Sequence, residues 1–401
     1  MSETIQGKQK LSDFALKELC FEITSDCLLR CCFCSTFNDR DRKISSFYID
    51  VDVFEDVVED FRRLGGEILE ISGGEPLLHP SITKLVWTAK DKGLQVRLYT
   101  SGVTRLDATR LVRDLAGVGL DRIIFNCQGL TRKHDILVGT NGAFKRMLET
   151  LKGSKDAGLW VGVHTIPMRP NISQIVFLYR LFSKHGVNEM AFLRLVKQGR
   201  ATLNWSLLAL EPDDYKQFID VVLRLLEELT VTRLNESTGT KLRLGCPFQV
   251  LRVHEQLWDV ERGESHCCHA GRHSLNILPD GSVIPCPAFK DVSSARLGNI
   301  FKDSLEKIWQ SSIFLQRLRQ PLSVSHCISC DFWNECRGGC AAQRFITYHE
   351  LTKGPDPLCQ CLGVHREQYF FEKSSLDFKR HFLFKRNTSL SGIQCLTGNK
   401  S

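Results

Sequence analysis

The sequence predicts an α/β fold, an open (β/α)6 partial barrel followed by a smaller cysteine-rich domain. Three observations carry that expectation. Short apolar runs alternate with amphipathic segments from about residue 17 to about 230. Past residue 245 this rhythm stops and cysteines crowd together. The 401 residues are enough for one large domain and one smaller one. Six strand–helix units in series argue for a parallel sheet with helices outside it, and six are too few to close an eight-stranded barrel.

Residues 17–23 open the series as a strand, followed by 51–64, whose apolar positions recur at helical spacing up to the stop at Gly65-Gly66. The second strand is 67–72, and its helix, 81–92, begins after Pro80 and stops at Gly93. The third strand, 94–100, precedes a helix over 106–115. Segments 122–127, 159–166 and 190–196 continue the strands. Their helices are 143–157, 172–185 and 213–229, the last opened by Pro212 at a first-turn position. Further on, Asp280-Gly281 between apolar residues signals a β-hairpin. Residues 297–300 read as a turn before an amphipathic helix over 305–318.

The expected organisation is a polar segment over 1–16, the barrel over 17–235, the cysteine-rich domain over 246–365, and a basic, aromatic tail over 366–401. The tail holds Tyr369, Phe370, Phe371, Phe378, Phe382 and Phe384, and is expected to pack against the barrel rather than form a module. No apolar run approaches the roughly 18 residues needed to span a bilayer, and Met1 to Lys10 lacks the apolar core of a signal peptide. The chain therefore reads as cytoplasmic, with no membrane partner, in a compartment where disulfides are rare. Seventeen cysteines there point to metal binding, and the odd count fits because metal clusters do not consume thiols in pairs. A net charge of +7, partly at Lys379, Arg380, Lys385 and Arg386, reads as a solvated basic surface before it reads as a nucleic-acid site, since no binding signature accompanies it.

The most specific signal is a cysteine triple, Cys27, Cys31 and Cys34, in the loop after the first strand, with Phe33 before its last member. Three thiolates hold a [4Fe–4S] cube with one iron left for an outside ligand. A Gly73-Gly74-Glu75-Pro76 run directly follows the second strand. Alone it is a turn whose glycines let the backbone come close to a neighbour. Both motifs fall at the C-terminal ends of parallel strands, where ligands gather in such sheets.

The cysteine spacing, with the Gly-Gly-Glu-Pro run behind it, resembles the signature of the radical SAM enzymes. The resemblance extends from near Lys17 to near Leu362. It implies that Cys27, Cys31 and Cys34 bind a core [4Fe–4S] cluster whose free iron is chelated by S-adenosylmethionine. It also implies that Gly73, Gly74 and Glu75 hold the methionine amino group. Ser101, in the turn Tyr99-Thr100-Ser101-Gly102, and Asn126 are placed at the cofactor in the same way. Where relatives have a Ser-Leu-Asp-Gly stretch, this chain has Asn126-Cys127-Gln128-Gly129. Cys127 is either a thiol on the substrate side or a buried small residue, and the second reading comes first. Cys32 is read as no fourth ligand, because that would close the open iron.

The second array is Cys268, Cys286, Cys327, Cys330, Cys336, Cys340 and Cys359. Its order is similar to the SPASM extension, which carries two auxiliary [4Fe–4S] clusters. The usual interleaving implies that Cys327, Cys330, Cys336 and Cys359 bind one cluster. Cys268, Cys286 and Cys340 bind the other, with Cys246 or Cys267 as fourth ligand or an open site for substrate. Structural zinc is the alternative for paired thiolates. Cys20, Cys361 and Cys395 are left as bystanders.

The resemblance implies reductive cleavage of S-adenosylmethionine to a 5′-deoxyadenosyl radical that takes hydrogen from a substrate. It also implies an external reductant of flavodoxin or ferredoxin type. A ribosomally made peptide or a protein side chain is the first substrate class and a small biosynthetic intermediate the second. A non-catalytic iron–sulfur binding or sensing protein is the third reading. Residues 1–16 alone precede the first strand, so leader recognition is expected to need a separate protein or the basic tail. His164, Arg194 and Lys197 stand at strand ends as candidate bases, each read first as structural or cofactor-facing.

Overall fold

The computed structural model describes residues 14–36, 47–233, 239–245, 268–320, 324, 327–330 and 333–359. One sheet contains β1 (Glu18–Glu22), β2 (Ile68–Ser72), β3 (Gln95–Thr100), β4 (Arg122–Asn126), β5 (Trp160–Thr165), β6 (Glu189–Phe192), β7 (Lys241–Leu244), β8 (Ser274–Ile277), β9 (Ser282–Ile284) and β10 (Gly298–Asn299), in the order β10-β9-β8-β1-β2-β3-β4-β5-β6-β7. From β1 to β7 every neighbour is parallel. The helices between them are α1 (Val51–Arg63), α2 (Ile82–Asp91), α3 (Ala108–Gly117), α4 (Thr131–Val138), α5 (Ala143–Asp156), α6 (Ile175–Lys184), α7 (Gly199–Leu203), α8 (Trp205–Leu208) and α9 (Pro212–Arg233). The expected six strand–helix units are all present.

Alternation along each strand sets the layers. Leu19, Phe21, Leu69, Ile71, Val96, Leu98, Val161 and Val163 are fully buried in the shell between sheet and helices. The opposite face carries Glu18, Cys20, Glu22, Glu70, Arg97, Tyr99, His164 and Arg243, so the barrel interior is polar and charged. Caps explain the helix starts. Asp50 accepts from the Asp52 amide at the head of α1, and Asp107 accepts from the Arg110 amide, so α3 begins at Ala108 rather than at residue 106.

Further features differ from the expectation. The strand over 190–196 ends at Phe192, because the chain then turns to run beside the cysteine loop. A seventh parallel strand, β7, follows α9 in the interval left between the two domains; it is a four-residue Lys-Leu-Arg-Leu alternation. Residues 131–138 form α4, which ends at Gly139 in a left-handed conformation. The helix over 305–318 is broken at Ser312 into α10 (Leu305–Ser311) and α11 (Ile313–Arg319), and Ser312 caps the second piece.

The cysteine-rich part is built onto the barrel. The hairpin expected at Asp280-Gly281 joins β8 to β9, and β8 pairs in parallel with β1, Glu18 opposite Ser274 through Phe21 opposite Ile277. Two short helices follow, α12 (Trp333–Cys336) and α13 (Ala341–Tyr348). Most of segment 1–16 and the whole tail 366–401 lie outside the described residues. No helix among the described residues is long and apolar enough to cross a membrane.

Candidate active site

The cysteine loop leaves the C-terminal end of β1 and is held from three sides. The Arg30 and Cys32 amides donate to the carbonyls of Val138 and Leu137 at the end of α4. The Thr140 hydroxyl donates to the Leu28 carbonyl at 3.3 Å. From α7 and the turn after it, Arg200 Nε donates to the Cys31 carbonyl at 2.9 Å and Asn204 Nδ2 to the Cys32 carbonyl at 3.1 Å. Cys27, Cys31 and Cys34 remain partly accessible, whereas Cys32 turns away into a buried cluster with Leu137, Met168, Leu195, Ala201 and Leu208. The Leu29 amide donates to Cys27 Sγ and the Thr36 amide to Cys34 Sγ, each at 3.4 Å.

The glycine loop lies alongside. Gly74 N donates to the Thr24 carbonyl at 2.7 Å and Glu75 N to the Asp26 carbonyl at 2.6 Å. A β-carbon on Gly73 would stand 2.5 Å from the Thr24 carbonyl oxygen, and one on Gly74 would stand 2.2 Å from that of Asp26. Both glycines are therefore required by the run that leads into the cysteine loop. The Glu75 carboxylate is buried and accepts four donors: the Leu77 amide, the Thr100 hydroxyl, and the amide and hydroxyl of Ser101. Burial pushes this carboxyl above the usual range, and the Ser101, Thr100 and Leu77 donors pull it back. Among the described residues no donor reaches the carbonyls of Gly73 and Gly74; Gly73 is half-buried and Gly74 exposed. Asn126 is exposed at the end of β4, and Gln128 Nε2 lies 3.5 Å from its Oδ1. Cys127 is fully buried, its thiol 3.4 Å from the Gly129 carbonyl, and burial pushes it up to about 12. It packs as a core residue.

Below these loops the interior side chains form ion-paired groups. Tyr99 donates to Glu70 at 2.7 Å and Arg97 lies 3.5 Å from the same carboxylate. Arg243 holds Glu189 at 2.9 Å and approaches His164 at 3.3 Å; burial and that guanidinium push the His164 imidazole down to about 3. Lys290 donates to Thr36 Oγ1 at 2.6 Å and pairs with Glu22 at 2.9 Å, and Asn276 Nδ2 also donates to Glu22. Cys20 faces Glu70, Glu22, Lys290 and Cys286. Lys290 thus links β1 and the cysteine loop to the segment after Cys286. Arg194 is buried against Asp356, and Lys197 lies 5.7 Å over the Trp205 ring, beside a cavity of about 300 Å³ that Arg194 also lines.

The C-terminal thiols fall into two groups. Burial, then the nearby Cys268 and Cys340, push the Cys286 thiol well up; Cys340, raised to about 12, feels burial, Asp356 and Cys268. Cys327, raised to about 11, feels burial, Cys359 and Cys330, and Cys336, raised to about 12, feels burial, Asp356, Cys359 and Cys327. Cys246 and Cys267 lie outside the described residues, as do Cys361 and Cys395. Among the described residues no three His, Cys, Asp or Glu side chains close to single-ion spacing.

Two orphaned cations test whether anionic groups fit here. Among the described residues, Arg200 Nη1 is buried without a partner beside the cysteine triple. Among the described residues, Arg344 is the largest fully buried side chain, and its Nε and Nη1 have no partner there although Cys327, Asp356, Cys340 and Cys336 surround it. Buried donors of this kind need an acceptor, and thiolate-ligated clusters would supply negative charge at both places, so the donor sets fit. The sequence reading missed Arg200, Asn204, Lys290 and Arg344. Only their closeness to cysteine-bearing segments marks them, and that closeness is made by folding.

A model of the radical SAM superfamily matches residues 21–181, and a model of the SPASM iron–sulfur cluster-binding domain matches 267–331. The mycofactocin maturase MftC of Mycobacterium tuberculosis is 29% identical over 356 residues, 87% of this chain and 83% of that protein. The PqqA peptide cyclase of Bradyrhizobium diazoefficiens is 28% identical over 347 residues, 86% of each chain. The crystal structure of Streptococcus suis SuiB bound to the precursor peptide SuiA has the same fold, with a TM-score of 0.69 at 19% identity over 87% of this chain and 76% of that one. The segments matched span both the three-cysteine loop and the C-terminal hairpin, and the chain belongs to the radical SAM superfamily with a SPASM domain, enzymes built on a [4Fe–4S] cluster, S-adenosylmethionine and auxiliary iron–sulfur clusters.

Proposed function

We propose that this enzyme is a peptide maturase that modifies a ribosomally made peptide in the barrel chamber. The observation that carries the reading is the meeting of the three-cysteine loop and the glycine loop over a charged interior that Lys290 joins to the Cys286 segment. The similarity to a mycofactocin maturase and a PqqA peptide cyclase over most of their lengths supports a peptide as substrate. When bound, the core cluster and S-adenosylmethionine would supply the one-electron radical chemistry that takes a hydrogen atom from the substrate.

The chain's own residues hold and shape that site. Cys27, Cys31 and Cys34 are the core ligands, and Arg200 offsets their charge. The carbonyls of Gly73 and Gly74, which take no donor among the described residues, suit an ammonium group, while Glu75 fixes the loop against Ser101. Asn126 offers an amide at the chamber mouth. Cys268, Cys286 and Cys340, with Cys246 or Cys267, hold one auxiliary cluster; Cys327, Cys330, Cys336 and Cys359 hold a second. The buried ion pairs keep stray donors away from the hydrogen-abstracting centre. The barrel spans 17–245, with β7 as its last strand, and the SPASM part 246–365. The enzyme works in the cytoplasm with a flavodoxin- or ferredoxin-type reductant.

The test is anaerobic reconstitution followed by iron and sulfide counts and a 5′-deoxyadenosine assay with dithionite. About twelve irons per chain are expected, with cleavage abolished by Cys27→Ala, Cys31→Ala and Cys34→Ala together. Co-expression with short reading frames beside the gene, read by peptide mass, tests the substrate class. A mass change that depends on the three cysteines supports a peptide. Turnover of a small metabolite, with every such peptide unchanged, would overturn it.

A further inference from the structure

We propose that Asp356, clamped by Arg194, is a positioning residue shared by the two auxiliary sites, where its charge sets how readily each accepts an electron. The inference rests on the reading of the two C-terminal cysteine groups as clusters.

Asp356 is almost wholly buried. Its Oδ2 accepts from Arg194 Nη1 at 2.8 Å and from the Cys340 amide at 2.7 Å. Its Oδ1 accepts from the Leu358 amide at 2.8 Å, and its own carbonyl accepts from the Cys359 amide at 2.8 Å. Cys340 belongs to the group with Cys268 and Cys286, and Cys359 to the group with Cys327 and Cys336. One residue thus fixes the backbone of a cysteine in each group. Gly339, at φ +73°, allows this, since a β-carbon there would stand 2.5 Å from Asp356 Cβ.

The clamp spans both parts of the molecule. Arg194 follows β6 on the barrel, and both partners are buried. A buried ion pair contributes little stability compared with apolar packing of the same volume, so its role lies elsewhere. Its charge lies beside both groups: the carboxylate is one hydrogen bond from the Cys340 amide, the same residue's carbonyl is one from the Cys359 amide, and Arg194 sits on the carboxylate oxygen that faces Cys340. A carboxylate beside a cluster opposes an added electron, and a guanidinium favours it. Asp356 and Arg194 therefore act with opposite sign.

The experiment is an anaerobic redox titration followed by electron paramagnetic resonance. It uses the full chain carrying Cys27→Ala, Cys31→Ala and Cys34→Ala, so that only auxiliary signals remain. Iron is counted first, with about eight per chain expected. A parent chain without auxiliary iron overturns the cluster reading and the proposal with it. In a loaded parent, Asp356→Asn raises the auxiliary potentials and Arg194→Met lowers them. Shifts of one sign, or none at full iron content, overturn the proposal while leaving the cluster reading intact. If Asp356→Asn fails to hold iron, Arg194→Met decides alone: a lowered potential supports the proposal and an unchanged one overturns it. Iron lost from both variants makes the pair a scaffold only, which also overturns it.

Discussion

His134 illustrates how a buried side chain acquires its properties from neighbours the sequence does not display. Its Nδ1 accepts from the Gln128 amide at 3.1 Å, which puts the ring proton on Nε2. Burial pushes the imidazole down to about 4. The folded value lies below the unfolded one, so the stability it contributes is complete above pH 6.5 and is lost as pH falls toward 4. Between pH 7 and 5.5 the loss from this one group is about 1 kcal/mol. His134→Gln keeps an acceptor and does not titrate, so unfolding curves at the two pH values should differ less in the variant by that amount. An equal difference in both proteins rejects the assignment. Cys27, Cys31 and Cys34 were legible because their spacing is local chemistry. The partners of Glu75, Thr100 at the end of β3 and Ser101 just after it, were not, because strand pairing brings them there.

Among the elements, the loop after β2 makes the sharpest prediction. Gly74→Ala places a methyl group 2.2 Å from the Asp26 carbonyl, so the glycine loop must lift from the cysteine loop. S-adenosylmethionine should bind at least about tenfold more weakly, a change of about 1.4 kcal/mol, in anaerobic titration calorimetry at unchanged iron content. Gly117→Ala at the end of α3 meets nothing within 4 Å and should leave binding untouched while raising stability by about 0.5–1 kcal/mol. Equal affinity in both variants rejects the packing argument. Strands β1 to β5 fall within a residue or two of their expected bounds because their apolar runs are bounded by turn residues. Helix α4 escaped notice because Arg132, Lys133 and Asp135 leave it a weak apolar face. The break at Ser312 was hidden inside a continuous amphipathic pattern.

The molecule as a whole is joined more tightly than two successive domains. Trp309 Nε1 donates to the Phe14 carbonyl at 3.1 Å, and the Arg319 guanidinium lies 3.9 Å over the Trp309 ring while its Nε donates to the Gly271 carbonyl at 2.8 Å. These contacts and the β1–β8 pairing cover the barrel's first strand. A chain ended at residue 245 leaves that strand with an open edge. It should sediment as aggregate, while the full chain stays dispersed. A monomeric fragment that melts cooperatively would show that the barrel folds alone.

The class of fold and the two cysteine arrays were legible in the linear sequence because both are written in short-range terms: apolar periods, turn residues and thiol spacings. Folding alone decided that β8 lies beside β1, that Arg200 and Asn204 hold the cysteine loop, that Lys290 reaches Glu22 and Thr36, and that Asp356 stands between two groups of thiols. The reason is physical. Each of these contacts joins residues far apart in the chain, and no local pattern encodes a partner that only the closed sheet brings within hydrogen-bonding distance.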